Sequence, residues 1–192
     1  MYGRHVAPGV QVHSGVPPSK SNDESDQSQS VKGEIVLMVT AADFMIADVI
    51  SVFPEASIRD LLLLFATRKV SGVPVLDPDR RLKGMVTVGD VLRCLRPYKV
   101  HALDMDAFMS FYVDKKSLPD LIVEVIAQPV SDIMTASRLA VVKPYTDLAA
   151  VAELFGKQRV KKLPVVNDDR VVVGIVSGGD LMRYIVRELL ND

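Results

Sequence analysis

The chain has 192 residues, enough for one domain or for a pair of small repeats, and either arrangement can bury a hydrophobic core. Its net charge of −1 gives no basic excess for nucleic acid or for an anionic membrane. A single cysteine, Cys94, cannot form an internal disulfide and fits a reducing compartment. The apolar runs are too short to cross a bilayer, and the N-terminus shows no secretory signal pattern. These features predict a soluble, cytoplasmic protein that binds neither nucleic acid nor membrane.

Residues 1–32 are rich in Gly, Pro, Ser, Gln and acidic residues and follow no helical or strand period. Such a segment buries too little apolar surface to offset the entropy of ordering it. We therefore predict a disordered tail that is dispensable for stability and for assembly. Its histidines, His5 and His13, have no ligand pattern around them, so no metal site is expected.

The first ordered unit is expected over residues 33–97. A short strand at 49–52 stops at Pro54, and a helix begins at Ser57 with Asp60 as its capping acid. The helical period places four apolar residues on its buried face: Ile58, Leu61, Leu62 and Phe65.

Two strands follow, at 73–76 and 82–87, separated by turn residues at 77–80. A second helix begins at Thr87 and ends at Pro97. Residues 98–129 form a helical connector in this interpretation, with one helix over 101–112 and another that begins at Ser117 and ends before Pro129.

The segment Gly84–Asp90 returns 90 residues later as Gly174–Asp180, and both copies read glycine, two apolar residues, a hydroxyl residue, two spacers and an aspartate. Shifting residues 54–96 by 90 gives 13 identities in 43 positions. This pattern predicts an internal repeat of a βαββα unit, with the second copy in residues 130–192. In each copy the hydroxyl residue caps a helix, and the aspartate three positions on reaches back to the cap. The same geometry also suits phosphate, because free amides and the positive end of the helix dipole point outward.

The tandem βαββα units, each with a Met at its start, an x-Pro-Val strand and the Gly-h-h-Ser/Thr-x-x-Asp motif, resemble CBS domains, named after cystathionine beta-synthase. The resemblance covers residues 41–97 and 130–190. It implies an α/β (α+β) fold in which two repeats pack as a pseudo-twofold module with two clefts, often paired into homodimers. It also implies adenosine-containing regulatory ligands, such as AMP, ADP, ATP or S-adenosylmethionine, and in some members NAD or cyclic dinucleotides. No cofactor is required.

By the resemblance, Asp90 and Asp180 accept hydrogen bonds from ribose hydroxyls, and Thr87 and Ser177 meet phosphate or ribose. The backbone at Ser51–Val52 and Ser71-Gly72-Val73 lines the first adenine slot, and residues 139–141 and Lys161-Lys162-Leu163 line the second. Because the second repeat has two lysines where the first has Ser71-Gly72, the second site is expected to prefer phosphorylated ligands. The first is expected to bind more weakly or to favour a ligand with little negative charge.

Two functions compete. The first is a ligand-sensing regulatory module that signals to an unidentified protein on another chain. The alternative is a structural or dimerisation module that mediates protein–protein interaction and binds no nucleotide. An enzyme is disfavoured, because the sequence has no phosphate loop, no H-E-x-x-H and no G-x-S-x-G. The presence of both aspartates favours the first function.

Overall fold

The computed structural model describes residues 10–13, 39–95, 98–105, 108–115, 117–157 and 160–189. The strands in these ranges are β1 Val10–His13, β2 Val49–Val52, β3 Gly72–Leu76, β4 Leu82–Thr87, β5 Tyr98–Met105, β6 Phe108–Lys115, β7 Lys162–Val166 and β8 Val172–Ser177. The α-helices are α1 Ala41–Phe44, α2 Ile58–Arg68, α3 Val88–Cys94, α4 Leu118–Ile126, α5 Leu148–Lys157 and α6 Gly178–Leu189, and a 3-10 turn spans Val130–Asp132.

The described residues divide into two compact units. Unit 1 contains residues 10–11 and 50–139, and unit 2 contains residues 12–13, 39–49 and 140–189. Each unit therefore takes most of one repeat together with the short opening segment of the other repeat, and unit 1 also contains the connector.

The two units repeat the same strand pairing. In unit 1, β3 runs antiparallel to β4, and Val52 of β2 is the parallel partner of Val75. In unit 2, β7 runs antiparallel to β8, and Val142 makes the equivalent parallel bridge to Val165. The shift of 90 residues thus carries each pair of one unit onto a pair of the other, which confirms the internal repeat.

The helix starts follow the predicted capping chemistry. The Asp60 amide donates to the Ser57 hydroxyl oxygen at 3.1 Å, and that hydroxyl donates to the Asp60 carboxylate at 2.7 Å. Ser117 and Asp120 repeat this arrangement at the start of α4, where the amide-to-hydroxyl distance is 3.4 Å. Local sequence therefore fixes where α2 and α4 begin.

The buried face of α2 differs from the predicted one in one residue. Leu64 is buried at 4% exposure, whereas Leu62 is 37% exposed, so the assignment of Leu62 to the core was wrong. Leu61 and Leu64 are three residues apart, and both 3- and 4-residue spacings keep side chains on one helix face. In a run of four leucines, either Leu62 or Leu64 can lie on the buried face, and the residues packed against the helix decide which one does.

Each unit has its own hydrophobic core. The core of unit 1 consists of residues from α2, β3, β4, α3 and α4 and from the segments beside them: Val52, Ala56, Ile58, Leu61, Leu64, Phe65, Val73, Val75, Val86, Val91, Val125 and Val130. The core of unit 2 includes two residues of α1 and is formed by Ala41, Phe44, Val142, Val151, Leu163, Val165, Val176 and Leu181.

The opening segment of each repeat adds a pair of backbone hydrogen bonds to the sheet of the unit that holds most of the other repeat. In unit 2, Ile46 and Ile175 of β8 exchange hydrogen bonds of 2.9 and 3.0 Å. In unit 1, Thr135 and Met85 of β4 exchange two of 2.9 Å. The segments begin with the matching sequences Asp43-Phe44-Met45 and Asp132-Ile133-Met134, so their placement is also repeated.

The first half of the connector is a β-hairpin, and the helix predicted over residues 101–112 was wrong. Strands β5 and β6 pair antiparallel through eight residue pairs, from Tyr98↔Lys115 to Met105↔Phe108. Four apolar residues have helical spacing and therefore predicted a helix where the chain forms two strands: Met105, Phe108, Met109 and Tyr112. Backbone pairing between two neighbouring eight-residue segments overrides that local pattern. The second predicted helix is present as α4.

The N-terminal segment contains one described element, the strand β1, which lies next to β2 at one end of the sheet order β1-β2-β3-β4. The prediction of disorder is contradicted for Val10–His13, which form a strand in which valines alternate with polar residues. The other residues of the segment 1–32 lie outside the described residues, and for them disorder stays a prediction.

Candidate functional site

Asp90 lies in the first turn of α3, immediately after β4, and is only 5% exposed. Its Oδ2 accepts hydrogen bonds from the Thr87 amide at 2.7 Å and from the Thr87 hydroxyl at 2.6 Å. The Val88 amide, the first of the helix, donates to the Ser71 carbonyl at 3.0 Å. The carboxylate is therefore held rigidly at the helix start by the residue that caps the helix.

Asp180 occupies the same position in unit 2, after β8 and in the first turn of α6, and is 8% exposed. Its Oδ2 accepts from the Ser177 amide at 2.8 Å and from the Ser177 hydroxyl at 2.6 Å, and its own amide donates to that hydroxyl at 3.3 Å. The two hydroxyl–aspartate pairs thus occupy equivalent positions, one in each unit, and are two candidate sites.

Three further hydroxyl-x-x-aspartate caps show that the motif alone does not make a site. Asp43, paired with Thr40 at the start of α1, and Asp120 are exposed, and Asp60 is only partly buried. Among the described residues, only Asp90 and Asp180 join the cap to a buried carboxylate at the end of an antiparallel strand. Burial and strand context, rather than the cap, separate the candidate sites from ordinary helix starts.

An arginine completes each site, and sequence reasoning did not assign it a role. Arg93 donates to Oδ1 of Asp90, and Arg183 donates to Oδ1 of Asp180. The arginine side chains are 58% and 74% exposed, so each ion pair joins a guanidinium at the surface to a buried carboxylate. The signal was present in the sequence, because Asp-x-x-Arg occurs in both copies and spans one helical turn.

Lys162 gives the second site a positive charge. It is the cross-strand partner of Ser177 and is half-buried, whereas its neighbour Lys161 is exposed. Burial lowers the pKa of Lys162, and the negative charge of Asp180 opposes that shift. In unit 1 the corresponding cross-strand pair is Gly72 and Thr87, so no side chain occupies the equivalent position.

The residues predicted to line the adenine slots are largely buried. The side chains of Val52, Val73 and Leu163 belong to the two cores, and Ser51 is 3% exposed. These whole-residue values leave both the side chains and the backbone groups of the four residues almost inaccessible, so their contact with a ligand stays a prediction. Ser71 is exposed beside buried Gly72, and residue 141 is exposed next to buried Val142.

The described residues contain no group of three or more His, Cys, Asp or Glu arranged to hold a metal ion. None of the helices described in the structure has the length and apolarity needed to cross a membrane.

Comparison with known proteins identifies the fold. The family model of the CBS domain matches residues 41–97 and 130–187. In solved structures, CBSX2 of Arabidopsis thaliana in complex with AMP superposes with a TM-score of 0.60 at 30% identity, covering 78% of this chain and 97% of that one. The sequence of the chloroplastic CBSX2 protein is 32% identical over 75% of this chain and 62% of its own length.

Two other relatives differ in how much of their length is matched. The uncharacterized protein MJ1426 of Methanocaldococcus jannaschii is 28% identical over 82% of this chain and 95% of its own length. Inosine-5'-monophosphate dehydrogenase of Aquifex aeolicus is 26% identical over 90% of this chain, which spans only 28% of that enzyme. The predicted α+β fold and the two predicted repeats are confirmed, and the chain belongs to the CBS-domain family as a protein with two CBS repeats.

Proposed function

We propose that this chain is a regulatory module that binds an adenosine-containing ligand, AMP, ADP, ATP or S-adenosylmethionine, at its two hydroxyl–aspartate sites. The observation that carries the proposal is the buried, preorganised carboxylate at the same place in both repeats. The complex of CBSX2 with AMP supports the ligand class, since that protein has the same fold at 30% identity. Signalling to a separate protein completes the proposal.

The carboxylate geometry leaves room for a ribose. An ionised carboxylate offers about four lone-pair positions. In Asp180, Oδ2 accepts from two groups of Ser177 and Oδ1 accepts from Arg183, so one position on Oδ1 remains for a ribose hydroxyl. Arg183 is mostly exposed, so a ligand hydroxyl can replace it on Oδ1 and occupy a second position. The same reasoning applies to Asp90 and Arg93.

The two sites are proposed to differ in ligand charge. Lys162 is half-buried beside Ser177 and Asp180, and Lys161 is exposed next to it, so both ammonium groups are available to a phosphate in unit 2. Charge-assisted hydrogen bonds of this kind contribute about 1.5–3 kcal/mol. The site in unit 1 has Ser71 and Gly72 instead and should bind phosphorylated ligands more weakly.

A thermal-shift screen tests the ligand class. The ligands are AMP, ADP, ATP, S-adenosylmethionine, NAD and cyclic di-AMP, each at about a hundred times its dissociation constant. Binding to the folded state alone then adds about 2.7 kcal/mol of stability. For a chain of this size that raises the unfolding midpoint by roughly 5–10 °C. The double variant Asp90→Ala/Asp180→Ala is the control and should show no shift. A midpoint unmoved by every ligand in the unaltered protein would contradict the proposal.

The module is further proposed to be a homodimer. Unit 1 exposes a set of large apolar side chains on α2 and α4, two helices that contact each other: Leu62, Leu63, Leu118, Ile122 and Val123. Apolar surface of this kind is often covered by another chain. Light scattering at micromolar concentration should therefore give twice the monomer mass of 21.1 kDa. A monomer mass would refute this part of the proposal.

The alternative is a CBS module that mediates protein–protein interaction without a ligand. The observation in its favour is that Arg93 and Arg183 already pair with the two aspartates. In that case the arginines are permanent partners, no ligand shifts the unfolding midpoint, and the protein still assembles. The thermal-shift result separates the two functions, because both of them predict an assembled protein.

A further inference from the structure

The residue opposite the helix cap differs between the two sites in a way that sterics explain. In unit 1, Gly72 faces Thr87 across the strand pair, and in unit 2, Lys162 faces Ser177. A Cβ added to Gly72 would lie 2.9 Å from Cγ2 of Thr87 and 3.3 Å from the Val86 carbonyl oxygen. The first distance is shorter than real Cβ contacts, so a side chain at position 72 requires Thr87 to shift, and Thr87 is held in place by the hydrogen bond from its hydroxyl to Asp90. Serine lacks the γ-methyl group, and opposite Ser177 a full lysine side chain is accommodated.

The two cross-strand pairs are therefore steric alternatives. Threonine at the cap favours glycine opposite it, and serine at the cap leaves room for a side chain there. A Ser/Thr exchange at a helix cap normally changes little, because both hydroxyls accept the same amide hydrogen bond. Here the methyl group decides whether a charged side chain can stand beside the buried aspartate.

We infer that each cross-strand pair sets the ligand charge its site accepts: Lys162 with Ser177 makes a site for anionic ligands, and Gly72 with Thr87 makes a site for ligands of little charge. The half-buried position of Lys162 supports this, because an ammonium group removed from water gains from a bound phosphate. The inference rests on the proposed function, since it assigns ligand charge to those same sites. It also contains a claim about folding that does not depend on any ligand.

Exchanging the pairs tests the steric claim first. Gly72→Lys alone should lower the unfolding midpoint in the absence of ligand, because the new Cβ meets the Thr87 methyl group. Thr87→Ser alone should have a small effect, and Gly72→Lys/Thr87→Ser should recover most of the loss. Ser71→Lys is the matched control: it adds the same charge at the exposed neighbouring position and should leave the midpoint unchanged. A double variant no more stable than Gly72→Lys would overturn the steric pairing.

Calorimetry with ADP and with uncharged adenosine then tests the charge claim. Each variant is measured in an Asp180→Ala background, so that only the unit 1 site is observed. Gly72→Lys/Thr87→Ser should increase the preference for ADP over adenosine roughly ten- to a hundredfold, the factor that one charge-assisted hydrogen bond provides. Ser71→Lys should increase it less. An unchanged preference in a protein that binds both ligands would overturn the charge claim. Absence of any binding by the unaltered chain would instead contradict the proposed function, and the stability measurements would still decide the steric claim.

Discussion

Asp180→Ala is expected to abolish the tighter of two binding events seen with ATP or AMP, whereas Asp90→Ala should leave that event intact. Asp180 lies in the site that also contains Lys162, and its buried carboxylate is the group proposed to hold the ribose. Losing a hydrogen-bond acceptor that cannot be replaced by water in a buried position costs about 1–3 kcal/mol, and more where a charge is involved. Removing the acceptor for both ribose hydroxyls at once reduces affinity by roughly a hundredfold or more. Isothermal calorimetry at fixed ionic strength measures both events.

The chain supplies a matched control for the folding side of this experiment. Thr40 and Asp43 form the same hydroxyl–carboxylate cap in unit 2, with distances of 2.8 and 2.9 Å, but at an exposed position. Asp43→Ala therefore removes the acid of a comparable capping box, while Thr40 stays as the N-cap, and it does not touch the proposed site. Asp43→Ala and Asp180→Ala should both remain folded. In Asp180→Ala, Arg183 loses its partner but is exposed, so no buried charge is left behind. Loss of the tighter event in Asp90→Ala with retention in Asp180→Ala would refute the assignment.

Lysine replacement separates charge from ribose recognition at the same site. Lys161→Ala/Lys162→Ala should weaken the tighter event and make it less sensitive to salt, because ammonium–phosphate attraction is screened by ions. Binding of uncharged adenosine should change little. An equal loss for ATP and for adenosine would mean that the lysines support the fold of the site rather than the phosphate.

The repeat and the helix caps were predictable because their determinants are local. Thr87 with Asp90 and Ser177 with Asp180 lie three residues apart, and the hydrogen bonds that join them are those that the spacing predicts. Burial of the two aspartates was not predictable in this way. It arises from strands β3 and β7, which lie beside the caps and are connected to them only through the fold.

The errors arose where long-range pairing overrides a local period. Residues 105, 108, 109 and 112 have helical spacing, yet they belong to two strands whose register is set across the hairpin. Leu62 and Leu64 are equally compatible with a buried helix face, and packing against other elements selects Leu64. The exchange of the opening segments between the units could not be predicted either, because no local pattern indicates which sheet Met45 contacts.

The exchanged segments explain why each of the two Gly-h-h-Ser/Thr motifs begins with glycine. A Cβ at Gly84 would lie 2.7 Å from Sδ of Met134 and 2.9 Å from the carbonyl oxygen of Thr135. A Cβ at Gly174 would collide with the Met45 side chain, which supplies the three nearest atoms. Glycine in each strand leaves room for the opening segment of the other repeat, whose nearest atoms are those of Met45 at Gly174 and those of Met134 and the Thr135 carbonyl at Gly84.

Gly84→Ala is expected to destabilise the protein by about 1–3 kcal/mol, the usual cost of overpacking. This corresponds to a fall of roughly 2–12 °C in the unfolding midpoint. The methionine side chain can move, but the Thr135 carbonyl cannot retreat easily, because it accepts the 2.9 Å hydrogen bond from the Met85 amide. Urea unfolding of the ligand-free protein gives the free energy directly.

Double-mutant cycles distinguish the two glycines and complete the test. Met45→Ala should relieve most of the damage caused by Gly174→Ala, because all three of the nearest atoms belong to that side chain. Met134→Ala should relieve only part of the damage caused by Gly84→Ala, because the Thr135 carbonyl oxygen stays in place. Since each truncation also leaves a cavity, its own cost is subtracted within the cycle. Equal coupling energies in the two cycles would show that the Thr135 carbonyl is free to move. The paired hydrogen bonds between Met85 and Thr135 would then not be the reason that β4 needs glycine at position 84.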